Sequence, residues 1–180
     1  MRAAVRMAVV IILPVLIGCS SLDNPQKQPP GKLAPDFTLP CLDGSKRSLS
    51  SMKGKYVLVH FWATWCAPCI HELKSLHNLY RYLHHDRFEI LAIALDDSWE
   101  AISKMQRENN FSFSILFDEA GVTRQSYQVT ELPLTVLVSP EGSFVSLLQP
   151  QGSALTERLV GPQLWDNEAT ANFFKQLLNG

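Results

Sequence analysis

The sequence has 180 residues, of which 46% are hydrophobic and 18% charged, and its formal net charge is −1. This length and composition fit one globular domain and exclude a chain biased toward disorder. Lysine and arginine are scattered rather than clustered, so we expect no nucleic-acid partner.

The N-terminus has the pattern of an export signal. Arg2 and Arg6 precede an apolar run over residues 7–17 that is short for a membrane span. The run ends in Leu-Ile-Gly-Cys19, which resembles a bacterial lipobox, so residues 1–18 are predicted to be a lipoprotein signal peptide and Cys19 a lipid attachment site. The alternative is an uncleaved signal anchor with an incidental cysteine. Both predict an exported, membrane-tethered domain facing the periplasm or cell exterior, and Ser20 favours the outer membrane by analogy with lipoprotein sorting.

Residues 19–33 are predicted to be a flexible tether, because they are polar and rich in proline. A folded domain is predicted over residues 34–180. Disulfides form and persist in exported proteins, so a dithiol that must stay reduced there needs a dedicated supply of electrons. We therefore expect a transmembrane electron donor as a partner.

The predicted elements alternate between strands and helices. A short hairpin is expected from residues 36–39 and 46–49, which flank the turn dipeptide Asp43-Gly44. Continuous apolar runs predict strands, and apolar residues at spacings of three and four predict helices. In chain order these are strand 56–62, a helix after Cys66, strand 88–95, helix 99–108, strand 111–117, helix 122–127, strand 134–139, strand 144–148 after a turn, and helix 167–178. Because a helix separates the strands at 56–62 and 88–95, we expect these two strands to pair in parallel through a right-handed crossover.

The pentapeptide Trp65-Cys66-Ala67-Pro68-Cys69 lies between the 56–62 strand and the next helix. Two cysteines at this spacing form a dithiol/disulfide redox couple. Cys66 is predicted at the helix N-terminus, where free N–H groups and the helix dipole favour a thiolate, so it is the expected nucleophile. Cys69, one turn further on, is the expected resolving thiol. Pro68 suits the first turn of a helix.

The chain resembles the thioredoxin superfamily, and more narrowly its exported TlpA/ResA-like branch. The resemblance covers about residues 32–180 and rests on three motifs in order: Ala-Pro-Asp-Phe-Thr-Leu at 34–39, Gly-Lys-Tyr-Val-Leu-Val-His-Phe-Trp-Ala-Thr-Trp-Cys-Ala-Pro-Cys at 54–69, and Glu-Leu-Pro-Leu-Thr-Val-Leu-Val at 131–138. It implies a thioredoxin-like α/β fold, with a central mixed sheet flanked by helices and an N-terminal β-hairpin extension.

The resemblance also implies a cis peptide bond at Leu132-Pro133, lying against the cysteine pair. Its backbone groups would pair with an extended substrate segment, so Trp65, Leu132 and Pro133 are the expected substrate-binding residues. The alternative is an ordinary trans proline at the start of a strand.

Two titratable residues near the motif have open roles. His60 stands where cytosolic thioredoxins have a buried aspartate. It would accept the Cys69 proton, stabilise a thiolate when charged, or be a neutral core histidine. Glu72 matches a glutamate that follows the two cysteines in many relatives. It would either be buried, with a raised pKa, and shuttle protons to Cys69, or complement the helix dipole from the first turn.

The remaining cysteine and histidines suggest no metal site. Cys41 is interpreted as a buried small residue, with a regulatory or second resolving thiol as the alternative. The other histidines are expected on a solvated face, and adjacent ones point apart on a helix. These are His71, His77, His84 and His85.

The predicted function is a membrane-anchored extracytoplasmic thiol:disulfide oxidoreductase that reduces disulfides in exported proteins. The Ala-Pro dipeptide between the cysteines lacks the histidine of strongly oxidising relatives, which favours this direction. The resemblance implies cytochrome c maturation or respiratory copper-site assembly as settings. A Cu(I) metallochaperone using the same two thiols is the alternative, and a peroxidase is a weaker one. We expect no cofactor and a monomer.

Overall fold

The computed structural model describes residues 31–83, 86–96, 98–148 and 155–179. The predicted signal peptide, Cys19 and its tether up to residue 30 lie outside the described residues, as do His84 and His85. Within the described ranges, no helix has the length and apolar character needed to cross a membrane.

The described chain forms strands and helices in the following order. They are β1 (Thr38–Pro40), β2 (Lys46–Ser48), a 3-10 turn (Ser50–Met52), β3 (Tyr56–Trp62), α1 (Ala67–Tyr82), β4 (Phe88–Ala94), α2 (Trp99–Asn109), β5 (Ser114–Phe117), α3 (Val122–Ser126), β6 (Leu134–Val138), β7 (Phe144–Val145), β8 (Leu147–Leu148), β9 (Leu155–Thr156), β10 (Leu159–Val160) and α4 (Glu168–Asn179).

A mixed sheet lies at the centre, with strand order β10-β6-β3-β4-β5 and β7 also pairing with β6. Strands β3, β4 and β5 are parallel, and β6 runs antiparallel to β3. Strands β1 and β2 form a separate antiparallel hairpin. The mixed sheet, its flanking helices and the N-terminal hairpin are therefore confirmed.

Helix α1 follows β3 after a four-residue connection and begins at the cysteine motif. Cys66 is its N-cap, and Pro68 lies in its first turn, where a missing N–H costs no hydrogen bond. The apolar stripe predicted from the sequence is buried, with Leu73 and Leu76 fully inaccessible. Burial of this stripe against the sheet fixes the position of the cysteines at the end of β3.

Two clusters of buried side chains lie on opposite faces of the sheet, because successive residues of a strand point to opposite sides. The first cluster contains Leu58 and Trp62 of β3 together with side chains of α1 and α4. The second contains Val57, Val59 and Phe61 of the same strand, with the N-terminal hairpin. Helix α1 therefore covers one face of β3, and the hairpin covers the other.

Two strand predictions were wrong in detail, and strand β10 was missed. The 144–148 run is two short strands: β7 stays on β6, whereas β8 leaves the sheet and pairs with β9. The 111–117 run enters the sheet only at Ser114, because Phe111 and Phe113 stack on each other in the first cluster. Strand β10 was not predicted, since its two residues carry no alternation that a pattern can register.

Candidate active site

The two cysteines of the motif form a disulfide, with an S–S distance of 2.03 Å. The Cys69 backbone N–H donates to Cys66 Sγ at 3.3 Å, so the first sulfur receives an N–H from the start of α1. Cys66 keeps 6% of its surface exposed, whereas Cys69 is fully buried. An incoming disulfide therefore reaches Cys66 first, and the geometry suits a couple that exchanges between disulfide and dithiol.

The Leu132–Pro133 peptide bond is cis, as predicted. Leu132 lines a cavity of about 420 Å³ together with Trp65 and Cys66, while Arg124 and Glu131 contribute charged groups to its wall. The Trp65 side chain is 70% exposed. The cavity thus brings the accessible sulfur, an exposed aromatic ring and the backbone before the cis proline into one place.

Glu72 lies in the second turn of α1 and is 1% exposed. The alternative of a first-turn residue that complements the helix dipole is therefore wrong. Its Oε1 accepts from Trp165 Nε1 at 2.7 Å and from Thr135 Oγ1 at 3.3 Å, and its Oε2 accepts from the Gln163 backbone N–H at 3.2 Å. Three residues apart on one helix, Cys69 and Glu72 share its buried side.

His60 is fully buried on the α1 side of β3, directly opposite Thr135 of β6. Its Nδ1 is 2.9 Å from Thr135 Oγ1 and 3.6 Å from Glu72 Oε1, and its Nε2 has no hydrogen-bond partner among the described residues. The threonine hydroxyl therefore lies between the imidazole and the carboxyl group, where it bonds to both.

Burial acts in opposite directions on these two titratable groups. It raises the pKa of Glu72 from 4.5 to about 7, although the three hydrogen bonds oppose the rise. It lowers the pKa of His60 from 6.5 to about 3. The 3.6 Å separation falls within ion-pair range, yet the imidazole is neutral at pH 7. A neutral ring supplies no charge to a thiolate, whereas Glu72 can gain or lose a proton near neutrality.

The partners of Glu72 were missed in the sequence. Trp165 and Gln163 belong to a stretch without a predicted element, and Thr135 was part of a strand motif with no assigned role. The alternation of β6 does place Thr135 on the same side as His60, so that contact had a signal. Nothing local marked Trp165, which is 93 residues from Glu72 in the chain.

Other residues singled out in the sequence lie elsewhere. Cys41 is free and buried, and its backbone forms an isolated antiparallel bridge with Leu116. His77 is half-buried, and its Nδ1 accepts from the Ser112 backbone N–H at 3.2 Å. His71 is exposed. No group of three or more histidine, cysteine or acidic side chains within the described ranges is arranged to hold a metal ion.

Comparison with protein families and known proteins gives a consistent result. Residues 30–146 match the AhpC/TSA family. The thiol-disulfide oxidoreductase ResA of Bacillus subtilis is 32% identical over 130 residues, which are 72% of this chain and 71% of that protein.

Solved structures share the fold. A putative thiol:disulfide interchange protein DsbE from Chlorobium tepidum has a TM-score of 0.69 and 28% identity, over 83% of this chain and 97% of the other. A secreted Mycobacterium tuberculosis disulfide oxidoreductase homologous to E. coli DsbE has a TM-score of 0.56 and 25% identity, over 66% and 87% of the two chains. The thioredoxin-like fold expected from the sequence is thereby confirmed.

Proposed function

We propose, from the premise that this chain belongs to the AhpC/TSA family and is a thioredoxin-like thiol-disulfide oxidoreductase, that it reduces disulfides of exported proteins. The observation that carries the proposal is the difference between the two sulfurs: Cys66 is reachable from the cavity, and Cys69 is buried on the same side of α1 as Glu72. In such a pair, the accessible thiol attacks the substrate disulfide and the buried thiol releases the reduced substrate.

In the proposed reaction, the Cys66 thiolate attacks one sulfur of the substrate disulfide. That S–S bond breaks, the other substrate sulfur leaves as a thiolate that takes up a proton, and a Cys66–substrate mixed disulfide forms. Glu72 in its carboxylate form then accepts the Cys69 proton, and the Cys69 thiolate attacks Cys66 Sγ. The substrate leaves with both cysteines reduced, the enzyme disulfide forms, and two electrons from an external donor restore the dithiol.

The substrate segment is proposed to lie in the cavity, extended along the backbone at Leu132 and Pro133 and in contact with the Trp65 ring. An exposed aromatic ring buries a large area on binding at little conformational cost. In this scheme His60 is a neutral, buried partner of Thr135 rather than the proton acceptor, because its low pKa makes it a weak base at pH 7.

The location outside the cytoplasm is part of the proposal. It is supported by the N-terminal charge and hydropathy pattern of the sequence, and one structural neighbour is described as secreted. We propose residues 1–18 as a signal peptide, Cys19 as the lipidated residue, residues 19–33 as a tether and residues 34–180 as a monomeric thioredoxin-like domain. Loss of fatty-acid labelling in Cys19→Ala tests the anchor; labelling that persists contradicts it.

The direction of electron flow is tested by the reduction potential. The full chain is equilibrated with defined thiol/disulfide buffers, and free Cys66 and Cys69 thiols are trapped and counted. A value near that of thioredoxin, about −270 mV, supports a reductant, and a value near about −120 mV makes the protein an oxidant.

The substrate class is tested with Cys69→Ala, which accumulates the mixed disulfide. Trapped partners with paired cysteines of apocytochrome c or of respiratory copper sites would place the protein in those assembly processes. Copper titration and peroxide consumption assays of the reduced protein test the alternatives. Tight stoichiometric Cu(I) binding without disulfide exchange, or rapid peroxide turnover, would overturn the proposal.

A further inference from the structure

The segment between β10 and α4, residues 161–167, crosses from the cis proline to helix α1. Three backbone N–H groups fix its path: Gly161 donates to Pro133 O at 2.9 Å, Gln163 to Glu72 Oε2 at 3.2 Å, and Trp165 to Ser75 Oγ at 3.2 Å. The segment is therefore attached to both halves of the candidate active site.

Trp165 is the member of this segment whose side chain reaches the buried carboxyl group. It is 4% exposed and packs against Phe174 of α4. Its indole N–H forms the shortest of the three hydrogen bonds that Glu72 accepts. An indole nitrogen only donates, whereas the Thr135 hydroxyl can donate or accept as the protonation state requires. The indole contact therefore favours the carboxylate over the protonated acid.

We propose that Trp165 is a positioning residue for Glu72: its indole N–H holds the carboxyl group on the buried side of α1 that Cys69 also occupies, and favours the proton-accepting form of that group. The inference rests on the proposed role of Glu72 in the release step. It assigns to the segment before α4 a part in disulfide exchange, although none of its residues lines the cavity at Cys66.

The surroundings of Glu72 make its protonation depend on neutral donors. The groups that contact it are His60 from β3, Thr135 from β6, and Gln163 and Trp165 from the segment. Cys69 lies one turn earlier on the same buried side of α1. The hydrogen bonds from Trp165, Gln163 and Thr135 lower the pKa that burial raises. Loss of the closest donor therefore raises the pKa further, and less carboxylate is present at pH 7.

The test is Trp165→Phe in the full chain, which keeps an aromatic ring and removes the N–H. The rate of mixed-disulfide release is followed from pH 5 to 9 with a synthetic peptide disulfide. The release rate should rise with pH as Glu72 loses its proton, and this rising part of the pH–rate profile is the Glu72-dependent limb. We expect its midpoint to move up by about one pH unit, which at a pH below the midpoint means about a tenfold smaller fraction of carboxylate. An unchanged midpoint would overturn the proposal. If Trp165→Phe does not fold, Trp165→Met, an adaptable side chain without a donor, carries the same expectation.

Two controls separate this inference from the proposed function. Glu72→Gln should abolish the limb, and adding Trp165→Phe to it should change the profile no further. If the limb survives Glu72→Gln, the proposed role of Glu72 fails. If it disappears there but Trp165→Phe does not shift it, only the positioning role fails. Trp99→Phe removes an indole that packs on Phe117 instead, and should leave the midpoint unchanged.

Discussion

The two faces of strands β3 and β6 differ in chemistry although their residues alternate along the same chain. On the hairpin side, Val59 and Phe61 of β3 and Val136 of β6 are fully buried apolar side chains. On the α1 side, the paired residues His60 and Thr135 are equally buried, yet they are polar and bonded to each other.

This difference shows at which positions the fold buries polar side chains despite the free energy that their burial costs. A buried polar atom without a hydrogen bond is destabilising, and His60 Nε2 has no partner among the described residues, so an apolar pair would suit stability better at these positions. The polar pair occurs on the face that carries Cys69 and Glu72, and it contacts the Glu72 carboxyl. The hairpin face therefore serves packing, and the α1 face combines packing with proton chemistry.

The largest effect on stability is expected on the apolar face. Phe61→Ala removes a fully buried ring that packs on Tyr127 with centroids 5.2 Å apart. We expect the free energy of unfolding to fall by about 3–5 kcal/mol in urea titrations of the oxidised protein. The reduction potential should stay constant because the side chain points away from α1. A change of about 30 mV or more, a tenfold change in equilibrium constant, would show that this face also tunes the dithiol.

The second prediction concerns the pH dependence of stability on the polar face. Between pH 4.5 and 7, folded Glu72 keeps a proton that the unfolded chain releases, so its contribution falls as pH rises. Between pH 3 and 6.5, the unfolded chain protonates His60 and the folded protein does not, so this contribution falls as pH drops. Each slope approaches about 1.4 kcal/mol per pH unit, and from pH 4.5 to 6.5 the two oppose each other.

Single substitutions should separate these slopes. Relative to the wild type, Glu72→Gln should gain stability as pH rises from 4.5 to 6.5, and His60→Asn should lose it, by about 3 kcal/mol over the interval. Urea unfolding at three pH values measures both. His71→Asn is the matched control, since its side chain on the same helix as Glu72 is exposed. If the free energy of unfolding changed with pH in the same way for all four proteins, the opposing titrations of Glu72 and His60 would be refuted.

Only part of this difference between the two faces can be predicted from the sequence. The continuous apolar run of β3 and the stripe of α1 are local patterns, and they correctly placed the cysteines between a buried strand and a helix. His60 and Glu72 were found because they lie within or next to the cysteine motif. Their burial and pairing depend on β6 and on the segment before α4, which approach α1 only in the folded chain. For that reason Trp165 carried no recognisable signal of its role, and the alternation of β6 marked only the side of the sheet on which Thr135 lies.

Two single substitutions at adjacent positions of β6 test whether the two faces of the sheet are interchangeable. Thr135→Val removes the hydroxyl that bonds to both His60 and Glu72, and Val136→Thr buries a hydroxyl among apolar side chains. Each change should cost about 1–3 kcal/mol in urea unfolding. Only Thr135→Val should alter the pH profile of mixed-disulfide release. An equal change in both profiles would mean that packing, rather than the hydroxyl contact, governs the site.

The smallest effect on stability is expected at Trp65, an exposed residue in the connection between β3 and α1. Trp65 is 70% exposed beside Cys66, so Trp65→Ala should change the free energy of unfolding by less than about 0.5 kcal/mol. Because the ring is proposed to contact the substrate, KM for a protein disulfide should rise several-fold while kcat stays nearly constant. Tyr82→Ala, an exposed aromatic at the other end of α1, is the matched control and should leave KM unchanged. Equal KM values for both variants would place substrate recognition on the backbone at Leu132 alone.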